Sequence, residues 1–338
     1  MRIERRDVQD VATLAFQAVC AWIVPERHWY PLCRRFARWE MRWQKDRVGR
    51  SCERIRGACR GQPIALDTRE VEAERIAGRY YERLIIFGSY RPRGWRPRIE
   101  LHGRERLDQA LAGGRGAILW VSDFTASALV AKIALHSAGI AIAHLSRPTH
   151  GSSRTVFGIR FLNPLRSKLE GRYLQDRIVI DSDDQGRDAM RRLRSTLQEN
   201  GVVSITVGAW AKRTQLVPLL SGRITYATGP THLARVSGAP LLPVFTVRDE
   251  DGTFHVHIGS ALELPVTDDQ KEYERTLLHY VEQLEPFIRR YPGLWRTWPR
   301  VQPAEAWSVE ESLGGGVRPE HGTAAMDAVA DGQGGERQ

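Results

Sequence analysis

Short apolar runs alternate with helical stretches through the middle of the chain, and this alternation restricts the possible folds more than any other feature. The β-rich runs are Ile118–Val121, Ile140–Leu145, Ile178–Ile180, Val202–Val207 and Leu241–Val247. The helical stretches between them are Thr125–Ser137, Ser152–Leu169 and Arg187–Asn200. Strands that are apolar throughout and separated by helices are typical of parallel sheets covered on both faces. We therefore predict an α/β fold with a mixed, largely parallel sheet flanked by helices.

A helical region precedes the sheet, and we assign it to residues 1–97. Asp67 and Glu70 have the spacing of a capping box, which predicts a helix that begins there and runs to about Phe87. The turn-rich segment Gly88–Pro97 then separates this region from the core.

The core is predicted to span residues 98–303 and to end with two further elements. Phe254–Ile258 is predicted to be an edge strand, and Asp269–Arg290 a closing amphipathic helix. Residues 304–338 are rich in Gly, Ala and Glu and contain few large apolar side chains, so we predict a disordered tail.

The segment His28–Arg47 combines an aromatic stripe with many basic residues. Its apolar positions at helical spacing are Leu32, Phe36, Trp39 and Trp43, and the basic residues among them are Arg34, Arg35, Arg38, Arg42 and Lys45. This composition suits a helix that rests on a membrane interface, and it equally suits one that packs on its own domain with a solvated basic face. Val8–Val24 is shorter than the roughly 20 residues a spanning helix needs, so we expect it to lie on a surface.

The charge balance narrows the choice of partners. The chain has 50 Lys and Arg against 40 acidic residues, a net charge of +10, which favours polyanions such as anionic lipids or phosphorylated substrates. No Gly-rich phosphate-binding motif follows a strand, and we find no nucleic-acid recognition motif. The four cysteines lack zinc spacing. The sequence therefore predicts no cofactor and no nucleic-acid partner.

Four segments in order resemble the bacterial lipid A biosynthesis (lauroyl/myristoyl) acyltransferases, within the lysophospholipid acyltransferase-like superfamily. They are LDQALAGGRGAILWVSDF from Leu107, LSRPTHG from Leu145, the block TQLVPLLSGRITYATGPTHLARVSGAPLLPVFTVRDEDGTFHVHI from Thr214, and PFIRRYPGLWRTWPR from Pro286. The resemblance covers more than half of the chain. It implies transfer of an acyl chain from acyl carrier protein or acyl-CoA to a lipid or other amphipathic acceptor. It also implies a peripheral or monotopic protein on the cytoplasmic face of the inner membrane.

The resemblance breaks at the catalytic motif. The family has a histidine, four residues, then Asp or Glu, and the imidazole takes the proton of the attacking hydroxyl. Here these positions are Asp123 and Ala128, and the later acidic motif is replaced by VGAWAKR from Val207. Asp123 is therefore predicted to act as a base itself or to orient His144 or His150. The alternative is a catalytically inactive homologue that binds lipid, acyl chain or carrier protein, or pairs with an active acyltransferase.

Further candidates for the site follow from the same segments. The residues predicted to bind substrate are Ser122, Ser127, Arg147, Arg154, Arg223, Thr228 and Gly229. His255 and His257 alternate on one face of their strand and form a conceivable metal pair. Because no third ligand is near them in the sequence, we predict no metal site.

Overall fold

The computed structural model describes residues 5–62, 66–147, 159–160, 163–180, 186–208 and 213–303. Within these ranges the helices are α1 (Arg5–Ile23), α2 (Trp29–Trp43), α3 (Lys45–Ala58), α4 (Thr68–Gly88), α5 (Arg104–Ala112), α6 (Ser127–Ser137), α7 (Asn163–Gly171), α8 (Arg187–Gln198), α9 (Gly229–Ser237) and α10 (Gln270–Arg290). The predicted tail lies outside the described residues, and the division at residue 98 stays a prediction.

The main sheet has seven strands in the order β1-β9-β8-β2-β5-β3-β4. They are β1 (Ile99–His102), β2 (Ala117–Val121), β3 (Ile142–Ser146), β4 (Asp176–Val179), β5 (Val202–Thr206), β8 (Leu241–Arg248) and β9 (Phe254–Ile258). Every neighbouring pair is parallel except β8 and β9, which are antiparallel. The predicted α/β class with a mixed, largely parallel sheet is confirmed.

The central strands of this sheet are buried on both faces, which explains their unbroken apolar runs. Along β2, Ile118 and Trp120 join one hydrophobic cluster with residues of α8, α9 and α10, while Leu119 and Val121 join another with residues of α4 and α6. All five residues of the strand are buried. A strand with apolar neighbours on both sides has no polar face, and so its sequence shows no alternation.

One prediction about the edge of the sheet is wrong, and a second sheet was missed. Phe254–Ile258 is not an edge strand, because β1 pairs with it in parallel on the side away from β8. A second sheet of three antiparallel strands was also not predicted; it contains β6 (Thr214–Leu219), β7 (Gly222–Ala227) and β10 (Gln302–Pro303).

The helix α4 connects the N-terminal region to the core. Its predicted start is confirmed, since the Asp67 carboxylate accepts hydrogen bonds from the backbone N–H groups of Arg69 and Glu70. Buried residues of α4, among them Ala73 and Ile76, belong to the same cluster as residues of β2 and α6. The capping interaction therefore fixes the end of a helix that covers the sheet next to β2.

The basic segment predicted as one helix is divided into two. α2 ends at Trp43, Gln44 leaves the helical conformation, and α3 begins at Lys45. α2 packs on α4 with the face that carries Trp29, Cys33, Ala37, Glu40 and Met41, whereas Trp39 and Trp43 are 59% and 75% exposed. Within the aromatic stripe, Trp39 and Trp43 therefore do not pack on the protein's own core, whereas Phe36 contacts Tyr80 of α4, with ring centroids 6.0 Å apart.

Helix α1 exposes a second apolar strip. Phe16, Val19, Trp22 and Ile23 are all more than half exposed. Phe16 touches Phe36 of α2 edge to face, with ring centroids 5.7 Å apart, so the two exposed strips meet. No helix in the described part of the chain has both the length and the hydropathy to cross a membrane.

Candidate functional site

The loop between β2 and α6 carries Asp123, the residue at the predicted catalytic position. Ser122 N–H donates to the carbonyl of Val244 on β8, and the hydroxyl of Ser127 accepts from Phe124 N–H as α6 begins. Ala126, just before the helix, has a positive φ of 61°. This turn brings Asp123 to the carboxyl edge of the parallel strands, where α/β proteins place their ligands.

The C-terminal segment of the core holds this loop from the other side. Phe124 and Trp295 form an isolated antiparallel bridge, and Thr125 N–H donates to the carbonyl of Leu294 over 2.8 Å. The N–H of Arg296 donates to the carbonyl of Asp123 over 3.1 Å. The aromatic and basic ending seen in the sequence therefore forms one wall of the loop.

Two carboxylates and a guanidinium form a charged group beside this loop. Arg296 Nη1 lies 2.7 Å from Glu82 Oε1 and 3.8 Å from Asp123 Oδ1. Glu82 Oε1 also accepts a hydrogen bond of 2.8 Å from Ala126 N–H. Glu82 belongs to α4, so this helix, the loop and the C-terminal segment meet at one guanidinium.

The charges of this group perturb one another. Burial disfavours the ionised form of Glu82, but the guanidinium groups of Arg296 and Arg166 outweigh it and lower the pKa of Glu82. The carboxylates of Glu82 and Asp123 together raise the pKa of Arg296 despite its burial. Arg296 is therefore a permanent cation next to Asp123.

A second buried charge cluster adjoins the first. The carboxylate of Glu170 on α7 accepts a hydrogen bond from the ammonium group of Lys132 on α6. Its Oε1 also accepts one from Arg166 Nε over 2.8 Å. A cavity of about 10 Å³, room for about one water molecule, is lined by Glu82, Ala126, Leu129, Arg166, Leu169 and Glu170. The space between the two charge clusters is therefore too small for an acyl chain.

Ser122 and Ser127 were predicted to bind substrate, but both are buried. The hydroxyl of Ser122 is 2.7 Å from the Tyr280 hydroxyl on α10, and burial raises the pKa of Tyr280. Ser122 has no exposed surface, and Ser127 is 2% exposed. These hydroxyls hold the loop in place and do not face a ligand in this conformation.

His144 was predicted at the end of its strand, but it lies in the middle of β3. It is 3% exposed, and its Nδ1 is 3.2 Å from the hydroxyl of Ser204 on β5. Ser204 is in register with Leu119, so His144 lies two strand spacings, each about 4.8 Å, from the middle of β2. The structure therefore does not bring His144 to Asp123, because β3 starts two residues later than predicted and continues through Ser146.

The other predicted residues lie at different places. Arg147 follows β3 at the carboxyl edge and is exposed, whereas Arg223 lies on β7 in the small sheet. Thr228 and Gly229 begin α9, and the backbone N–H of Thr228 donates to the carbonyl of Arg213. His150 and Arg154 lie outside the described residues, as does most of the VGAWAKR segment.

The fold is that of an α/β protein whose candidate site, the loop after β2, lies at the carboxyl edge of its parallel strands. Comparison with known proteins identifies the family. The family model of the bacterial lipid A biosynthesis acyltransferases matches residues 74–298, and the chain belongs to this family.

One solved structure shows a more distant similarity. It is the 1-acyl-sn-glycerophosphate acyltransferase of Thermotoga maritima, with 15% sequence identity, 65% of this chain and 82% of that chain covered, and a TM-score of 0.30. No curated protein matched the chain.

Proposed function

We propose that this protein works at a membrane surface, engages an acyl thioester and an amphipathic acceptor, and has lost the histidine-dependent transfer step of its family. The observation that carries the proposal is the ion pair of Asp123 with Arg296, which is itself held by Glu82. Of the two functions that the sequence left open, this geometry favours the inactive homologue.

The reasoning concerns the proton that acyl transfer must remove. A hydroxyl becomes a competent nucleophile when a neighbouring base accepts its proton. At the position of the family's imidazole this chain has a carboxylate, with the guanidinium of Arg296 3.8 Å away. The site therefore lacks the nitrogen base with which the family removes that proton.

One observation favours a second candidate, an active transferase with a non-standard site. The side chain of Asp123 is 35% exposed, so an acceptor group can reach it. In that case Asp123 would serve directly as a base, for example for an amine, or would orient His150.

The membrane part of the proposal rests on the two exposed strips of α1 and α2. Large apolar side chains that protrude in a contiguous group mark membrane or protein contact sites. Exposed Arg35, Arg38 and Arg42 lie beside the tryptophans of α2. Each basic residue close to an anionic leaflet contributes about 1 kcal/mol of attraction. The inner leaflet of the cytoplasmic membrane, which is anionic, suits this surface.

The donor part rests on family membership and charge. Acyl carrier protein and acyl-CoA both present an acyl thioester on a phosphate-bearing arm, and the chain has a net charge of +10. Arg147 is exposed at the carboxyl edge, on the same side of the sheet as the loop of Asp123. It is the described cation that we expect to contact the phosphate of the donor.

The test measures donor binding and donor consumption in the same sample. The full chain is mixed with anionic vesicles and a radiolabelled acyl carrier protein or acyl-CoA, the vesicles are sedimented, and bound and cleaved donor are counted. We expect bound but uncleaved donor, and weaker binding for Arg147→Ala than for the control Arg191→Ala, which removes an exposed arginine on α8. Cleavage that Asp123→Ala abolishes would establish the second candidate, and absence of binding would refute the proposed ligand class.

A further inference from the structure

A group of histidines and carboxylates lies at one edge of the seven-stranded sheet, on strands β1 and β9. The two strands are parallel, with Glu100 in register with His255 and His102 in register with His257. Because side chains alternate along a strand, these four residues share one face of the sheet. The pairing with β1 brings two further potential ligands, Glu100 and His102, next to His255.

Three potential ligand atoms of this group surround a single point. His102 Nε2 and His255 Nδ1 are 3.1 Å apart, and Glu100 Oε2 is 3.7 Å from the first and 3.4 Å from the second. A point equidistant from all three atoms in their plane lies about 2.0 Å from each, the length of a zinc–nitrogen or zinc–oxygen bond. We propose that Glu100, His102 and His255 bind a Zn²⁺ ion.

The spacing of these atoms selects the geometry and the metal. In a tetrahedral zinc site with bonds of about 2.05 Å, neighbouring ligand atoms are about 3.3 Å apart, which agrees with the three observed separations. Imidazole nitrogens suit zinc and other late transition ions, whereas magnesium and calcium take oxygen ligands. Three protein ligands leave the fourth position to water.

A second, independent feature supports the metal site. The other ring nitrogen of His255, Nε2, lies 3.1 Å from Asp249 Oδ2, and the Tyr291 hydroxyl donates to Asp249 Oδ1 over 2.8 Å. Histidines that bind metals characteristically donate their second ring N–H to a carboxylate, which fixes the tautomer and turns the free nitrogen towards the metal. Asp249 gives His255 this arrangement.

The orientation of His102 is fixed as well. Its ring stacks on that of His257, with centroids 4.5 Å apart and planes 13° from parallel. Glu100 and His102 are 59% and 43% exposed at the side chain. Two of the three ligands are thus open to solvent, and an ion can enter without any rearrangement of the strands.

The surrounding charge also favours a cation. A solvent-open cavity of about 440 Å³ beside the group is lined by Glu100, Asp249, Glu250, Asp251, His255 and Arg290, in which acidic residues outnumber the basic one. A bound ion would join β1, the outermost strand, to β9, and through Asp249 to the turn after β8. A bound ion would therefore stabilise this edge of the sheet.

The test uses the full chain without a polyhistidine tag, freed of metal by chelation. Zn²⁺ is titrated calorimetrically, and Co²⁺ is added separately because a tetrahedral cobalt site with nitrogen and oxygen ligands absorbs visible light strongly. We expect one Zn²⁺ per chain, the tetrahedral cobalt spectrum, and a rise in Tm with Zn²⁺. The double variant His102→Ala/His255→Ala should lose at least about a hundredfold in affinity, whereas His28→Ala, an exposed histidine elsewhere, should not change it.

A variant that leaves all three ligands in place separates zinc binding from loss of fold. Asp249→Asn should weaken zinc binding by about 10- to 100-fold, as removal of such a supporting carboxylate typically does. Circular dichroism checks that each variant is folded. Zinc affinity unchanged in the folded double variant, or absence of the tetrahedral cobalt spectrum in the wild type, would overturn the proposal. If the double variant does not fold, the cobalt spectrum of the wild type and the zinc affinity of Asp249→Asn test the proposal.

Discussion

Replacing Glu82 with glutamine perturbs the charge that connects α4, the Asp123 loop and the C-terminal segment. The substitution keeps the shape of the side chain and an amide oxygen that can still accept from Ala126 N–H. It removes the negative charge that lies 2.7 Å from Arg296 Nη1. Arg296 and Arg166 then lack the buried negative charge that balances their own. We therefore expect the folded state to be destabilised.

The magnitude follows from the burial of the pair. Removing one partner of a fully buried ion pair costs about 3–5 kcal/mol. Here the Glu82 side chain is 12% exposed and that of Arg296 is 30% exposed, so water screens part of the interaction. We therefore expect the free energy of unfolding to fall by the lower end of this range, about 3 kcal/mol. For a domain of this size that corresponds to a fall in Tm of about 6 °C or more.

The pH dependence has a definite sign. The pKa of Glu82 is lowered in the folded state. The stabilisation is therefore fully present above the unfolded pKa, about 4.3, and is lost as the pH falls through the folded value. The difference in stability between wild type and Glu82→Gln should shrink on acidification below about pH 4.3.

The assay is thermal unfolding followed by circular dichroism at neutral pH and at a series of acidic pH values. Glu105→Gln, a change of an exposed carboxylate on α5, is the control and should leave the Tm within about 1 °C. A Tm of Glu82→Gln equal to that of the control would refute the assigned role of the ion pair. A difference that stayed constant on acidification would refute its electrostatic origin.

Three further substitutions test other parts of the account. Trp39→Ala/Trp43→Ala should reduce binding to anionic vesicles at least about tenfold in a flotation assay, because the apolar surface of the two exposed indoles no longer enters the membrane interface; unchanged flotation would contradict the membrane surface. Tyr280→Phe removes the partner of the buried Ser122 hydroxyl and should cost about 1–3 kcal/mol in urea unfolding, whereas a neutral effect would show that the hydroxyl finds another partner. Asp67→Ala should cost about 1 kcal/mol in the same assay, and Asp67→Asn, which keeps a capping oxygen, should not.

The sequence predicted the central strands because their surroundings are uniform. β2, β5 and β8 are buried on both faces, so hydrophobicity alone marks them. β1 has only four residues, and two of them are exposed, which gives no comparable signal. In β6, Gln215 is buried while Leu216 is exposed, so polarity and burial do not correspond, and Pro218 argues against a strand. The strand β1 and the small sheet were therefore missed, whereas β4, at the other edge of the main sheet, was predicted.

The site was predictable only as far as its local motif extends. The position of Asp123 after β2 follows from the chain itself, and Arg296 lies in the recognised PFIRRYPGLWRTWPR segment. Nothing in the sequence pairs these two residues or connects them to Glu82, because all three are far apart along the chain. The same holds for the histidine group, in which His255 was visible and Glu100 and His102 were not, because their strand was missed. Contacts between distant segments depend on packing that one sequence does not display.

The central claim is that the family scaffold has lost acyl transfer at Asp123. The most direct test is to incubate the full chain with acyl carrier protein and acyl-CoA donors in a bacterial total lipid extract, and to count newly acylated products by mass spectrometry. We predict that the wild type forms no more product than the heat-inactivated protein. Product that increases with the amount of wild-type protein and disappears with Asp123→Asn would contradict the claim.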